Sequence, residues 1–196
     1  MRTKSLLTIG LAAAGMMYGA SVFAADAAST AGPFGSGKIT FTGTITNSPC
    51  DIAPGDDAIT VPFGQISYRK LKSENGVTES KPFTIHLQNC AFDANTPDVA
   101  GSAGKMSKVT VSFSGTGDST HHAYISTGSA LHVGVQLLKS DNSTLIEPNT
   151  PMPDADAQQL HNGNNELNFF ARLIATAADV TPGDVNASVT YTLKYL

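Results

Sequence analysis

The chain ends on a pattern that few structures can satisfy. Across residues 184–195 apolar and polar residues alternate almost without a fault, with Val185, Ala187, Val189, Tyr191, Leu193 and Tyr195 at every second position. Strand side chains alternate between two faces, so these six residues share one face of a terminal β-strand. A second run of this kind lies near the other end. Over residues 35–45 the odd positions Gly35, Gly37, Ile39, Phe41, Gly43 and Ile45 are apolar or glycine, and the even positions are polar. Alternating segments at both tips of one domain permit strand exchange between neighbouring copies.

Compartment decides what the cysteines can be. Arg2 and Lys4 precede an apolar stretch over residues 6–18, and Ala20-Ser-Val-Phe-Ala24 closes it with small residues where a signal peptidase reads. Residues 1–24 therefore read as a secretory signal peptide, with cleavage after Ala24 as the first choice and after Ala25 as the second. The stretch is too short and too rich in glycine and alanine for a membrane span, and no later stretch approaches the roughly 20 consecutive apolar residues that a span needs. Removing Arg2 and Lys4 from the 12 basic residues leaves 10 against 16 acidic ones, a formal charge of −6 that argues against a nucleic-acid partner. About 170 residues remain, which suits one domain with a sizeable core.

The only two cysteines, Cys50 and Cys90, form an even pair in an exported chain and are expected to make one structural disulfide. Closing a loop of about 40 residues should contribute roughly 4 kcal/mol in the chain-entropy account. A metal-binding or nucleophilic thiol finds no support, because neither cysteine has a CxxC spacing or a Cys/His cluster beside it. Between the tips, short alternating strands are expected around residues 59–63, 82–90, 108–114, 131–137 and 167–173. Pro62 demotes the first to an edge, since proline cannot donate to a ladder. Phe170 falls on the polar face of the last. The connecting segments at 115–118, 141–143 and 148–153 are rich in Gly, Asn, Asp, Ser and Pro and read as loops. Six or seven strands with such turns, abundant glycine and no tryptophan point to an all-β, immunoglobulin-like sandwich.

These residues together carry a family resemblance. The signal peptide, Asn47-Ser-Pro-Cys50, Val61-Pro-Phe-Gly-Gln-Ile66, Leu87-Gln-Asn-Cys90, the segment at 161–169, Pro182-Gly183 and the penultimate Tyr195 stand in the order found in pilins. The chain resembles a fimbrial subunit of the bacterial chaperone-usher pathway, of the type 1 kind, over its whole length. The resemblance implies an incomplete immunoglobulin-like β-sandwich that lacks its seventh strand and is completed by a donor strand from a neighbouring subunit. The implied organisation is a signal peptide (1–24), an amino-terminal extension carrying the donor strand (25–46) and a pilin domain (47–196). The implied partners are other copies or sister pilins, a periplasmic chaperone and an outer-membrane usher, with any host receptor engaged only indirectly. The implied destination is the bacterial cell surface, reached through the periplasm.

On that resemblance the donor residues are Gly37, Ile39, Phe41 and Gly43, with Ile39 and Phe41 as anchors worth roughly 1.5 to 3 kcal/mol each when fully buried. A slip of one residue would swap the apolar and polar faces, so the pairing is register-specific. From pattern alone the same segment also reads as the first strand of its own domain. The segment 25–34, with Pro33, is longer than a minimal donor requires. Val189, Tyr191, Leu193 and Tyr195 are the expected acceptor and chaperone-binding positions, and the Leu196 carboxylate resembles the group that family chaperones anchor.

No catalytic, metal or cofactor site is expected. The five histidines are His86, His121, His122, His132 and His161, and only the second and third are adjacent. They read as solvated loop or outward-facing positions. Asp154 and Asp156 sit in a proline-rich loop, and no GxSxG or phosphate loop occurs. The main reading is a structural fimbrial subunit supporting adhesion. The alternatives are a minor adaptor, which shares every feature above, and a ligand-binding tip adhesin, for whose separate lectin domain the chain has no room. A complete secreted sandwich enzyme would need a site that the sequence does not contain.

Overall fold

Alternation sets which side of each strand meets the core. In β2 (Lys81–Cys90) Ile85 and Leu87 are buried while His86 is exposed, and in β3 (Lys108–Gly115) Val109, Val111 and Phe113 are buried. The computed structural model describes residues 37–92 and 106–196. The expected signal peptide, the tail at 25–34 and Gly35 lie outside the described residues.

Two compact units divide the chain, Met1–Thr44 and Ile45–Leu196. In the first, residues 37–44 form neither helix nor strand and are exposed, Ile39 by 78 % and Phe41 by 88 %. The strand expected over 35–45 is thus absent as an element over its described part. An extended segment becomes a strand only when a sheet edge satisfies its backbone groups.

The second unit is all-β apart from short 3-10 turns at Asp56–Ala58, Tyr68–Leu71 and Asp154–Asp156. Besides β2 and β3, its strands are β1 (Asp51–Ile52), β4 (Gly117–Asp118), β5 (Ala123–Ile125), β6 (Val133–Leu138), β7 (Leu145–Ile146), β8 (Gln158–Gln159), β9 (Gly163–Ala175) and β10 (Val189–Tyr195). One antiparallel sheet runs β1-β2-β9-β6-β5-β4, with β7 also paired to β6, and the other runs β10-β3-β8. Phe83, Phe113 and Phe169 meet where the sheets face each other, with ring centroids 5.3 to 6.3 Å apart. The Cys50–Cys90 disulfide is present. Beside it a bulge in β2, with Asn89 at a positive φ of 51°, turns Cys90 inward.

Three expectations change in detail. Residues 59–63 form no strand, although Ile59, Val61 and Phe63 still alternate half-buried with exposed neighbours. The side-chain pattern holds, but no sheet edge among the described residues lies against the segment. The strand expected from Leu131 starts at Val133, because His132 adopts a left-handed φ of 60° and Leu131 is left exposed. Residues 184–188 likewise precede β10. They are bound to the 126–130 loop, with Thr127 donating to the Asn186 carbonyl at 2.7 Å and Ala130 to that of Asp184 at 3.0 Å. That approach demands glycines. A Cβ on Gly128 would stand 1.9 Å from the Asp184 oxygen, and one on Gly183 would stand 2.5 Å from the Ala130 nitrogen.

Candidate functional site: an open edge over an apolar cleft

β10 pairs with β3 along its whole length, from Val189 opposite Gly115 to Tyr195 opposite Val109. Just past that register, Lys108 and Leu196 exchange both backbone hydrogen bonds, at 3.1 and 2.8 Å. Bonded and non-bonded pairs alternate in an antiparallel ladder, so the even residues of β10 spend their backbone groups on β3. Val189, Tyr191, Leu193 and Tyr195 turn theirs to the opposite edge, where no backbone bond from the described residues meets them. Their side chains point inward and are half-buried, while Thr190, Thr192 and Lys194 are exposed.

Beside this edge lies a cleft of about 850 Å³. One wall is residues 185–191. The other is residues 57–63, and its floor is made by Phe83, Phe113, Val135, Leu137 and Ala171. Among the described residues, no backbone hydrogen bond ties residues 59–66 to anything. The cleft is therefore an apolar slot between two extended backbones that both lack a partner on that side.

Tyr191 reaches across one end of it. Its hydroxyl donates to the Asp56 carbonyl at 2.8 Å. Asp56 is held in turn from β2, where its Oδ2 accepts the His86 backbone N–H at 2.5 Å and lies 2.9 Å from the His86 Nδ1. Burial, and then the negative charges of Asp56 and Asp57, push the Tyr191 phenol above its ordinary pKa, so the hydroxyl remains a donor at physiological pH. Leu193 and Tyr195 lie on the same face beyond this crossing and pack against the core rather than line the cleft. The Tyr195 hydroxyl is buried and meets no hydrogen-bond partner among the described residues.

The structure thus places Val189 and Tyr191 at the cleft and Leu193 and Tyr195 on its continuation. It also adds a second wall, Ile59, Val61 and Phe63, and the Asp56 crossing. The alternation around Pro62 was the signal for that wall in the sequence. Nothing in the sequence marked Asp56.

The remaining polar residues fall elsewhere. His121 is not a solvated position: its side chain is only 11 % exposed and lies against Asp118. Asp154 and Asp156 occupy a 3-10 turn and separate to different lysines, Lys194 at 2.8 Å and Lys139 at 2.6 Å.

An immunoglobulin-like sandwich with one strand missing from its edge defines a class of protein, the subunit that cannot close its own core. The comparisons agree with that class. The family described as "Fimbrial protein" matches residues 39–196. The "Uncharacterized fimbrial-like protein YgiL" of Escherichia coli (strain K12) is 32 % identical, with 98 % of this chain and 97 % of that protein covered. The "Type-1 fimbrial protein, A chain" of the same organism is 30 % identical, with 100 % of each covered. A chain from a solved chaperone-usher pilus superposes with a TM-score of 0.67 at 27 % identity, covering 84 % of this chain and 98 % of its own. The chain belongs to the fimbrial protein family, as a structural pilin of the type-1-like kind.

Proposed function

We propose that this pilin is a building block of a surface fimbria that polymerises by donor-strand exchange, residues 37–43 of one copy filling the cleft of the next. The observation that carries the reading is the β10 edge, where four residues offer backbone groups and two of them, Val189 and Tyr191, stand at an apolar slot. An unpaired edge beside exposed core is a pairing template and an aggregation hazard until it is covered. The occupant fits from the same chain. Gly37, Ile39, Phe41 and Gly43 alternate with polar residues, and Ile39 and Phe41 are exposed. Six residue steps of extended chain, from Gly37 to Gly43 or from Val185 to Tyr191, both span roughly 20 Å. Main-chain bonds to both walls supply affinity, and the alternate side chains supply specificity.

In this reading residues 25–46 form the donor extension. Val189, Tyr191, Leu193 and Tyr195 form the acceptor edge. A periplasmic chaperone holds that edge during export and an outer-membrane usher directs its exchange. The assembled protein stands on the cell surface.

The test is unheated SDS gel electrophoresis of surface-sheared protein, comparing the full exported chain with a variant lacking residues 25–44. A ladder of heat-dissociable multimers that disappears in the deletion is the expected result. Stable monomers from both forms would mean that the domain completes itself, and would end the proposal.

A further inference from the structure

Away from the cleft, one histidine sits between two carboxylates carried by distant parts of the chain. The His121 Nδ1 is 2.6 Å from the Asp118 Oδ2, and its Nε2 is 3.5 Å from the Glu74 Oε1. Asp118 belongs to β4. Glu74 belongs to the loop after the Tyr68–Leu71 turn. The ring is 11 % exposed, Asp118 is 24 % exposed and Glu74 is 59 % exposed.

The ring has little freedom to leave. The His121 carbonyl accepts from the Gln136 Nε2 at 2.7 Å, and the Gln136 Oε1 accepts from the Arg172 Nε at 2.9 Å. Gln136 is buried on β6 and Arg172 lies on β9, so the backbone of the turn is fixed from the sheet beneath it. The charged groups facing the ring are Asp118 and Glu74. Arg172 acts through Gln136, and the adjacent His122 pairs separately with Glu147 at 2.7 Å.

We propose that His121 is a protonation-dependent clasp, joining the 72–77 loop to the β4–β5 turn as an imidazolium and releasing one of them when neutral. The chemistry is a count of protons. An imidazolium donates from both nitrogens and satisfies both carboxylates, whereas a neutral ring has a single N–H and turns a lone pair toward the second. The shorter contact keeps the proton, so release falls on Glu74. The hydrogen bond to Asp118 raises the His121 pKa above 6.5, burial opposes it, and the charges of Asp118 and Glu74 add to the rise. The same bond lowers the Asp118 pKa below 3.8.

A raised folded-state histidine pKa contributes stability that is complete below 6.5 and is lost as pH rises through the raised value. A depressed Asp118 contributes stability that is present above 3.8 and is lost as pH falls through the lowered value. The clasp is therefore tightest on the acid side of neutrality. It acts within the fold of one subunit and is independent of what fills the cleft.

The experiment uses the full exported chain in the assembled form recovered from cells, with thermal unfolding followed from pH 5.5 to pH 9. The transition of the wild type is expected to fall by about 2–4 °C more than that of His121→Gln across the basic half of this range. Hydrogen exchange of residues 72–77, corrected for intrinsic rate, should rise several-fold on deprotonation in the wild type and stay level in Glu74→Gln, which keeps the Asp118 pair. Parallel pH profiles for wild type and His121→Gln would overturn the proposal. So would wild-type exchange in residues 72–77 that ignores pH, a measurement that needs no variant to fold.

Discussion

The Tyr191 hydroxyl donates to the Asp56 carbonyl at 2.8 Å, joining the last strand to a turn that lies 135 residues earlier in the chain. This bond crosses the end of the cleft and holds one wall to the other where no backbone pairing among the described residues does so. A net hydrogen bond of this kind contributes about 1 kcal/mol, and more when its loss strands a buried acceptor. Tyr191→Phe keeps the ring and removes the bond, so unfolding should occur about 1 kcal/mol more easily in a denaturant titration of the assembled protein. An unchanged midpoint would show that solvent replaces the bond at no cost.

Phe41→Asp places a charge where the proposed donor strand needs its largest apolar anchor. Burying an unpaired carboxylate costs several kcal/mol, more than the roughly 1.5 to 3 kcal/mol that the phenyl ring contributes. Multimers should vanish from unheated gels while the subunit's own cleft, and so its capture by a chaperone, stays intact. Normal fibres from this variant would remove residues 37–43 from the assembly.

Gly128→Val tests the close contact that docks the segment before β10. Even the first carbon of a new side chain would meet the Asp184 carbonyl at 1.9 Å, so the 182–188 segment has to move. The expected cost is about 1–3 kcal/mol of overpacking, with faster proteolysis between residues 180 and 188. Wild-type protease resistance would mean that the loop yields freely.

The hairpin between β6 and β7 offers a check at low pH. The Asp141 carboxylate accepts from the Thr144 hydroxyl and from the Thr144 and Ser143 amides, which lowers its pKa to about 2. A depressed carboxylate stabilises the fold above the ordinary 3.8 and loses that contribution as pH falls through about 2. An NMR titration of Asp141 should report this midpoint. Thr144→Val, which removes the hydroxyl donor, should raise it, and a wild-type midpoint near 3.8 would show that the turn opens in solution.

Much of the fold was legible because strand patterns are local. The alternation at 82–90 and 108–114 put Phe83, Ile85 and Leu87 on one face and Val109, Val111 and Phe113 on another, and all are buried except Phe83, which is half-buried. Strand ends were harder to read. His132 ends the local run through a left-handed turn, and residues 184–188 keep their alternation while bonding to the 126–130 loop. The environment of His121 was only half legible, because Asp118 lies three residues before it in the same turn while Glu74 reaches it only through the packing of a separate loop.

By itself the sequence determined the class of this protein: a disulfide-bonded β-sandwich with an alternating strand at its end, and a second alternating segment near its start. Periodicity and cysteine pairing are properties of the chain that need no partner to be read. The tertiary structure alone decided that, among the described residues, the last strand keeps one edge bare, that residues 59–63 face it as a wall without backbone bonds, and that Tyr191 and Asp56 close the gap at one end. Those facts depend on which backbones lie side by side, and residues 135 positions apart have no local signal that brings them together.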